Sequence, residues 1–368
     1  MHLENISLFN FKNYEDANLI FSPDINCLLG ENGSGKTNLL DAIHYLSLTK
    51  SALNSIDSQN IKHGEAFFSV KSNIEKEGDI YEVHCSVKSG QKKIFKVNKS
   101  EYEKISEHIG SFPAVLIFPN DSDIIRESSE ARRKFFDAAI SQINRPYLNH
   151  LVKYHHFLKQ RNSLLKSFGE QNKIDKDLIE PYDIQLLQLG QEIFIERKRF
   201  VNDFLSHFTR HFDDLVADKE QVSIQYKSEL LFDAFQSKYL GNLKRDLILQ
   251  RTELGIHRDD FVFKIEDKPL KKFGSQGQQK SFLIALKLAL FEIIKINKGF
   301  KPLLLLDDIF DKLDDHRIDK LVKMIASDVF GQIFITDARP ERTRTFFKEI
   351  GKTVKFFEVE DGRTRETD

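Results

Sequence analysis

The run Gly30-Glu31-Asn32-Gly33-Ser34-Gly35-Lys36-Thr37 has the spacing G-x-x-x-x-G-K-[ST], and each residue type in it answers a need of a phosphate oxygen. Glycines at 30, 33 and 35 let the backbone turn its N–H groups onto an anion. Lys36 supplies a cation for the outer phosphates of a nucleotide, and Thr37 a hydroxyl for Mg²⁺. A second cluster is Pro302-Leu-Leu-Leu-Leu-Asp307-Asp308, an apolar run that ends in two carboxylates. Asp307 is suited to holding a metal ion directly or through water, and Asp308 to polarising an attacking water as a general base. A helix cap after a core strand would account for one of these aspartates and poorly for both. The third cluster, Ser275-Gln276-Gly277, is a polar turn that opens a strongly helical run, so its N–H groups can also meet an anion. Taken alone, that turn is more often an ordinary helix cap.

Positioning these clusters requires a strand over 24–30, a helix over 37–48 carrying Leu39, Leu40, Ile43 and Leu46, and strands over 303–306 and 332–336. A further strand is expected over 261–265 and a helix over 278–296. Residues 1 to about 120 alternate with period two between turn residues, as in Ile80-Tyr-Glu-Val-His-Cys-Ser-Val87, which predicts mostly antiparallel strands. Between 123 and 250 the apolar spacing becomes three and four residues, which predicts helices, the longest over 182–212 and about 45 Å long. The expected domains are an ATP-handling head built from 1–122 and 251–368, with 123–250 inserted as a helical arm. The expected class is α/β, a P-loop head whose mixed sheet is flanked by helices. The final DGRTRETD reads as a loose tail.

Bulk properties narrow the function classes. With 368 residues, 40% hydrophobic and 30% charged, the chain has enough apolar material for a large core and is unlike a disordered protein. A net charge of −1 gives no global field for nucleic acid, so any DNA contact must come from local basic patches. Cys27 and Cys85 are the only cysteines, and their spacing supports neither a disulfide framework nor a zinc site. The N-terminus lacks the pattern of a signal peptide, and no apolar run is long enough to span a bilayer, so a cytoplasmic protein is expected.

The order of phosphate loop, long insertion, serine-glycine helix start, strand with paired acids and Asp311-Lys-Leu-Asp314 resembles that of ABC ATPases. That resemblance implies two heads joined around ATP, with Ser275, Gln276 and Gly277 acting on the nucleotide of the other subunit and Asp314 at the dimer seam. Hydrolysis would release the heads. Within that superfamily the chain is similar to the RecF family over nearly its whole length. The similarity rests on LFNFKNY, GENGSGKTNLLDAIHYLSL, ARRKFFDAAISQINRPYLNHLVKYHHFLKQRNSLLK, GIHRDDFVF, KKFGSQGQQKSFLIALKLAL and PLLLLDDIFDKLDDHR, in that order. It implies an ATP- and Mg²⁺-dependent protein that binds double-stranded DNA, with preference for gapped or single/double-strand junction DNA. It also implies cooperation with RecO and RecR in loading RecA, and roles in recombinational repair, replication restart and the SOS response.

Two departures from the ABC pattern stand out. Asp308 replaces the usual glutamate, and its shorter side chain predicts slow hydrolysis. Ile335-Thr336-Asp337-Ala338 stands where transporter heads have a switch histidine. His257-Arg258-Asp259 is not a kinase loop, since Lys264 occupies the position of its asparagine. Candidate DNA patches are 132–134, 153–161, 197–199 and 268–272, although each such cluster alone is more often a solvated helix face. The alternative function is the nucleotide-binding subunit of an ABC transporter, against which stand the helical arm and the missing histidine.

Overall fold

The structure, a computed structural model, describes residues 1–118, 121–171, 174–216, 220–312, 315–347 and 351–367. Two compact units emerge: residues 1–121, 211–218 and 280–368 form one, and residues 122–210 and 219–279 the other.

The first unit contains two six-stranded sheets. One is antiparallel throughout, in the order Tyr14–Ile20, His2–Phe11, Phe67–Lys76, Asp79–Lys88, Ile94–Val97, Ser100–Glu101. Its strands alternate buried and exposed residues, as a sheet with one wet face must. The other runs Arg363–Thr367, Val354–Glu360, Ile25–Leu29, Ile333–Asp337, Leu303–Leu306, Ala114–Ile117, and is parallel except at its first pair. Its central strands are buried at every position, which is why they read as unbroken apolar runs. The helix Lys36–Leu48 buries Leu39, Leu40, Ile43 and Leu46 in the core these sheets share. All six strands and helices expected to position the three clusters are present within two residues of their expected ends.

The second unit is mainly helical, with Ser129–Ile143, Arg145–Gln171 and Lys176–Leu215 up to residue 210 as its long elements. Lys176–Leu215 has 40 residues, about 60 Å at 1.5 Å per residue, longer than the apolar stripe suggested. The helical reading of 123–250 also missed the strand Val222–Lys227, which pairs antiparallel with Asp260–Ile265 in a three-stranded sheet. This pairing moves the unit boundary: residues 251–279, read from sequence as head, belong with the helical unit. A partner strand more than thirty residues upstream leaves no mark on local periodicity. The tail reading also fails, because Arg363–Thr367 pairs with Val354–Glu360 across Asp361-Gly362, both at positive φ (46° and 74°). Such a turn suits a two-residue hairpin, and the charges of Arg363, Arg365 and Glu366 suit an edge strand.

Candidate nucleotide site

Register in the parallel sheet brings the first two clusters together. Leu29 lies beside Asp337, and Leu306 beside Ile335, so Gly30 and Asp307 leave the sheet at the same carboxyl edge. Ligands of open α/β sheets bind at that edge. The loop that follows Leu29 needs its glycines: φ is 154° at Gly30, 85° at Gly33 and 120° at Gly35. A Cβ at Gly30 would stand 2.2 Å from the carbonyl oxygen of Val359, whereas at Gly33 it would meet nothing within 4 Å. The first glycine therefore serves close packing as well as conformation, and the second conformation alone.

Helix Lys36–Leu48 begins at Gly35 with no side chain capping it, so its first N–H groups face the loop. Lys36 Nζ donates to the carbonyls of Gly30 (2.7 Å) and Glu31 (2.8 Å), which holds the cation inside the curve of the loop. Ser34 Oγ is buried there with no hydrogen-bond partner among the described residues. A buried hydroxyl left unpaired costs about 1–3 kcal/mol, and an oxygen-bearing ligand in the loop would recover it. Glu31, Asn32 and Gly33 are exposed around the mouth.

Three outside groups fix this loop, and none was singled out from sequence. Ser34 O accepts from Asn13 Nδ2 (3.0 Å) and from the Gly362 N–H (2.9 Å), and Gly35 O accepts from the Tyr14 hydroxyl (2.9 Å). Asn38 Nδ2 in turn donates to Asn13 Oδ1 at 2.7 Å. The signal available was small: Lys12-Asn13 forms the turn after the first strand, Tyr14 opens the next strand, and Asp361-Gly362 is a turn dipeptide.

The two residues expected to hold a metal ion also meet. Thr37 Oγ1 donates to Asp307, 2.9 and 3.0 Å from its two carboxylate oxygens. Adjacent ligands of an octahedral Mg²⁺ with bonds of about 2.1 Å stand about 3 Å apart, so this hydroxyl and carboxylate fit such an ion. Burial is the largest influence on Asp307 and raises its pKa, against the bonds from Thr336 and Thr37 and the nearby Lys36 charge, which lower it. A cation beside this carboxylate would offset that burial cost. Asp308 is half-buried with φ 45°, and its N–H donates to Thr336 Oγ1.

The third cluster lies in the second unit. Ser275 and Gln276 are exposed and Gly277 partly so, at the start of helix Gln276–Lys298. Ser275 and Gln278 form a reciprocal cap: Gln278 N–H donates to Ser275 Oγ (3.2 Å) and Ser275 N–H to Gln278 Oε1 (2.7 Å). Asp314 lies outside the described residues.

The basic patches divide sharply. Arg161 is buried and bonded to Asp183 (2.6 Å), Asp246 (2.7 Å) and the Thr252 hydroxyl (2.8 Å). Arg197 is equally buried among Asp137, Asp259, Tyr147 and the Ile256 carbonyl. Arg132 grips Asp260 at 2.8 and 3.1 Å, and Arg133 the Asp259 carbonyl at 2.6 Å. These four are committed to the fold, while Lys153, Lys159, Lys198, Arg199, Lys268, Lys271 and Lys272 are exposed. Within His257-Arg258-Asp259, Arg258 pairs with Glu253 (2.5 Å), and His257 bonds Tyr154 and the Thr252 carbonyl. Burial drives His257 down to about 4 and Asp259 up to about 6, as expected of packed groups.

The chain matches the model of the RecF/RecN/SMC N terminal domain over residues 2–365. It is 47% identical over 359 residues to the DNA replication and repair protein RecF of Flavobacterium johnsoniae, covering 98% of this chain and 100% of that one. To the protein of the same name from Cytophaga hutchinsonii it is 45% identical, covering 100% and 97%. A solved structure of the recombination mediator protein RecF-ATP in the RecFOR pathway superposes with a TM-score of 0.90 at 29% identity, covering 100% of this chain and 98% of that one. The Smc head of Pyrococcus furiosus, at 17% identity and a TM-score of 0.56, shares the fold. Among the described residues no helix is long and apolar enough to cross a membrane.

Proposed function

The chain belongs to the RecF family of RecF/RecN/SMC head proteins, and on that footing we propose that it is an ATPase of DNA replication and repair whose nucleotide cycle controls its hold on DNA. ATP joins two copies, Ser275, Gln276 and Gly277 of each meet the nucleotide held by the other, and Asp314 lies at the seam. The joined pair grips double-stranded DNA, preferentially at gaps and single/double-strand junctions. Cooperation with RecO and RecR in loading RecA, in the cytoplasm, completes the reading. The observation that carries it is the meeting of Thr37 and Asp307 at 2.9 Å beside a loop that encloses Lys36.

In this reading the loop N–H groups and Lys36 bind the phosphates. Thr37 and Asp307 would hold Mg²⁺, which would supply positive charge to offset the negative charge developing on the phosphates. Asp308 accepts a proton from the attacking water as that oxygen bonds to the γ-phosphorus and the bond to the β-phosphate oxygen breaks, giving ADP and phosphate. A carboxylate one methylene shorter than glutamate reaches the water less well, so turnover below about one per second is expected. The exposed turn at Ser275 leaves its helix N-terminus available to a second copy.

The test is binding of a labelled gapped duplex with ATP, ADP or no nucleotide, for wild type and Lys36→Ala, across a salt series. The reading requires ATP-dependent, salt-sensitive binding that the variant loses. Binding indifferent to nucleotide, or none at all, would overturn it.

A further inference from the structure

The hydrolytic site has a gap in its logic at the end of strand Ile333–Asp337, where transporter heads carry a switch histidine. Asp337, which takes that position, is already occupied. It is buried, and it accepts from the Arg339 N–H (3.1 Å), from Arg342 at 2.8 and 3.0 Å and from the Thr343 hydroxyl. These bonds hold the carboxylate beside the start of helix Pro340–Phe347, a favourable place for a negative charge. Its oxygens are therefore spent on the fold.

The residue before it is placed differently. Thr336 is fully buried, and its hydroxyl touches both catalytic aspartates: it donates to Asp307 Oδ1 at 2.7 Å and accepts from the Asp308 N–H at 2.9 Å. One hydroxyl has one proton and two lone pairs, so both bonds are satisfied together. Asp308 needs such an anchor because a non-glycine residue at φ 45° is in the left-handed region, where its backbone is strained.

Resting on the ATPase reading above, we infer that Thr336 is the positioning residue of hydrolysis. Its hydroxyl ties the metal-side carboxylate of Asp307 to the backbone of Asp308, and so aims the Asp308 side chain at the attacking water. The tie matters more here than in a head with glutamate, since a short side chain cannot compensate for a turned backbone. The hydroxyl approaches the phosphates only through these two residues, so its loss should slow the chemical step and spare nucleotide binding.

Thr336→Val keeps the shape and removes the hydroxyl, whereas Thr336→Ser keeps the hydroxyl. Single-turnover hydrolysis and equilibrium binding of a fluorescent ATP analogue are measured for both, beside wild type and Lys36→Ala. The expected result is a rate lower by about tenfold or more for Thr336→Val, with its nucleotide Kd within about threefold of wild type, and near wild-type values for Thr336→Ser. Hydrolysis by Thr336→Val within about threefold of wild type, or an equal fall for both variants, would overturn the inference while leaving the ATPase reading intact. Wild-type hydrolysis no faster than Lys36→Ala would instead remove the ATPase reading and this inference with it. Should Thr336→Val not fold, Thr336→Cys, whose thiol is a poor donor, carries the same expectation.

Discussion

Replacing the three loop glycines one at a time with alanine separates conformation from crowding. At Gly33 the added Cβ meets nothing within 4 Å, so only φ 85° opposes it. Left-handed backbone costs a non-glycine residue about 1–2 kcal/mol, and the stiffer unfolded chain returns about 0.4–1, leaving a net loss near 1 kcal/mol. At Gly30 the Cβ lies 2.2 Å from Val359 O, a backbone atom of the adjoining strand, and cannot be accommodated by turning a side chain. Moving that strand adds a typical overpacking cost of about 1–3 kcal/mol, for a loss of about 2–4. Gly35 falls between, because its Cβ would meet the side chain of Asn13 at 2.6 Å, which can move at the expense of its bond to Ser34 O. Urea unfolding gives the ranking Gly30→Ala, Gly35→Ala, Gly33→Ala from most to least destabilised. Titration with a fluorescent ATP analogue should show weaker binding for all three, since in the proposed reading each N–H faces phosphate. Equal destabilisation of Gly33→Ala and Gly30→Ala would refute the packing role of Val359.

Three further outcomes follow from buried charge. Arg161→Ala should cost about 3–5 kcal/mol in urea unfolding, because it strands the carboxylates of Asp183 and Asp246 without a cation, while Lys198→Ala, at an exposed site, should stay within about 0.5. Among folded molecules, Arg161→Ala should leave the salt dependence of DNA binding unchanged; a shallower slope would return Arg161 to the DNA surface. His108 is fully buried, donates from Nε2 to the Leu46 carbonyl (2.6 Å), and is held down at about 4 by burial. A depressed pKa means stability present above the unfolded value near 6.5 and lost as pH falls toward 4, so wild type should lose about 2 kcal/mol more than His108→Gln between pH 7.5 and 5. Parallel losses in the two proteins would show that His108 is not part of the acid response.

The features that were legible are those whose chemistry is local. A phosphate loop is a contiguous run with flanking elements, and the paired aspartates end a continuous apolar strand that only a sheet buried on both faces explains. What was missed depends on partners distant in sequence: Asn13 and Gly362 reach Ser34 from opposite ends of the chain, and Val222–Lys227 finds Asp260–Ile265. The buried arginines are a different case, because a signal was there. Arg197 falls four residues after Ile193 and three before Phe200, on the apolar stripe of its own helix, and Arg161 stands four before the buried Leu165. Reading 153–161 and 197–199 as charge clusters ignored that helical position separates Arg197 from Lys198 and Arg199. Thr336 was visible only as a departure from the histidine pattern, and its bonds to Asp307 and Asp308 needed the register of two neighbouring strands.

The central claim is that two copies complete each nucleotide site, and it is tested most directly by mixing two variants that are each inactive alone. Asp308→Asn removes the base from its own site, and Ser275→Arg blocks the site of its partner. If Ser275 acts across the dimer, half of the randomly formed pairs hold one intact site, and an equimolar mixture should recover about a quarter of wild-type ATP hydrolysis. A mixture no more active than its separate components would contradict the shared site and leave each copy to bind its nucleotide alone.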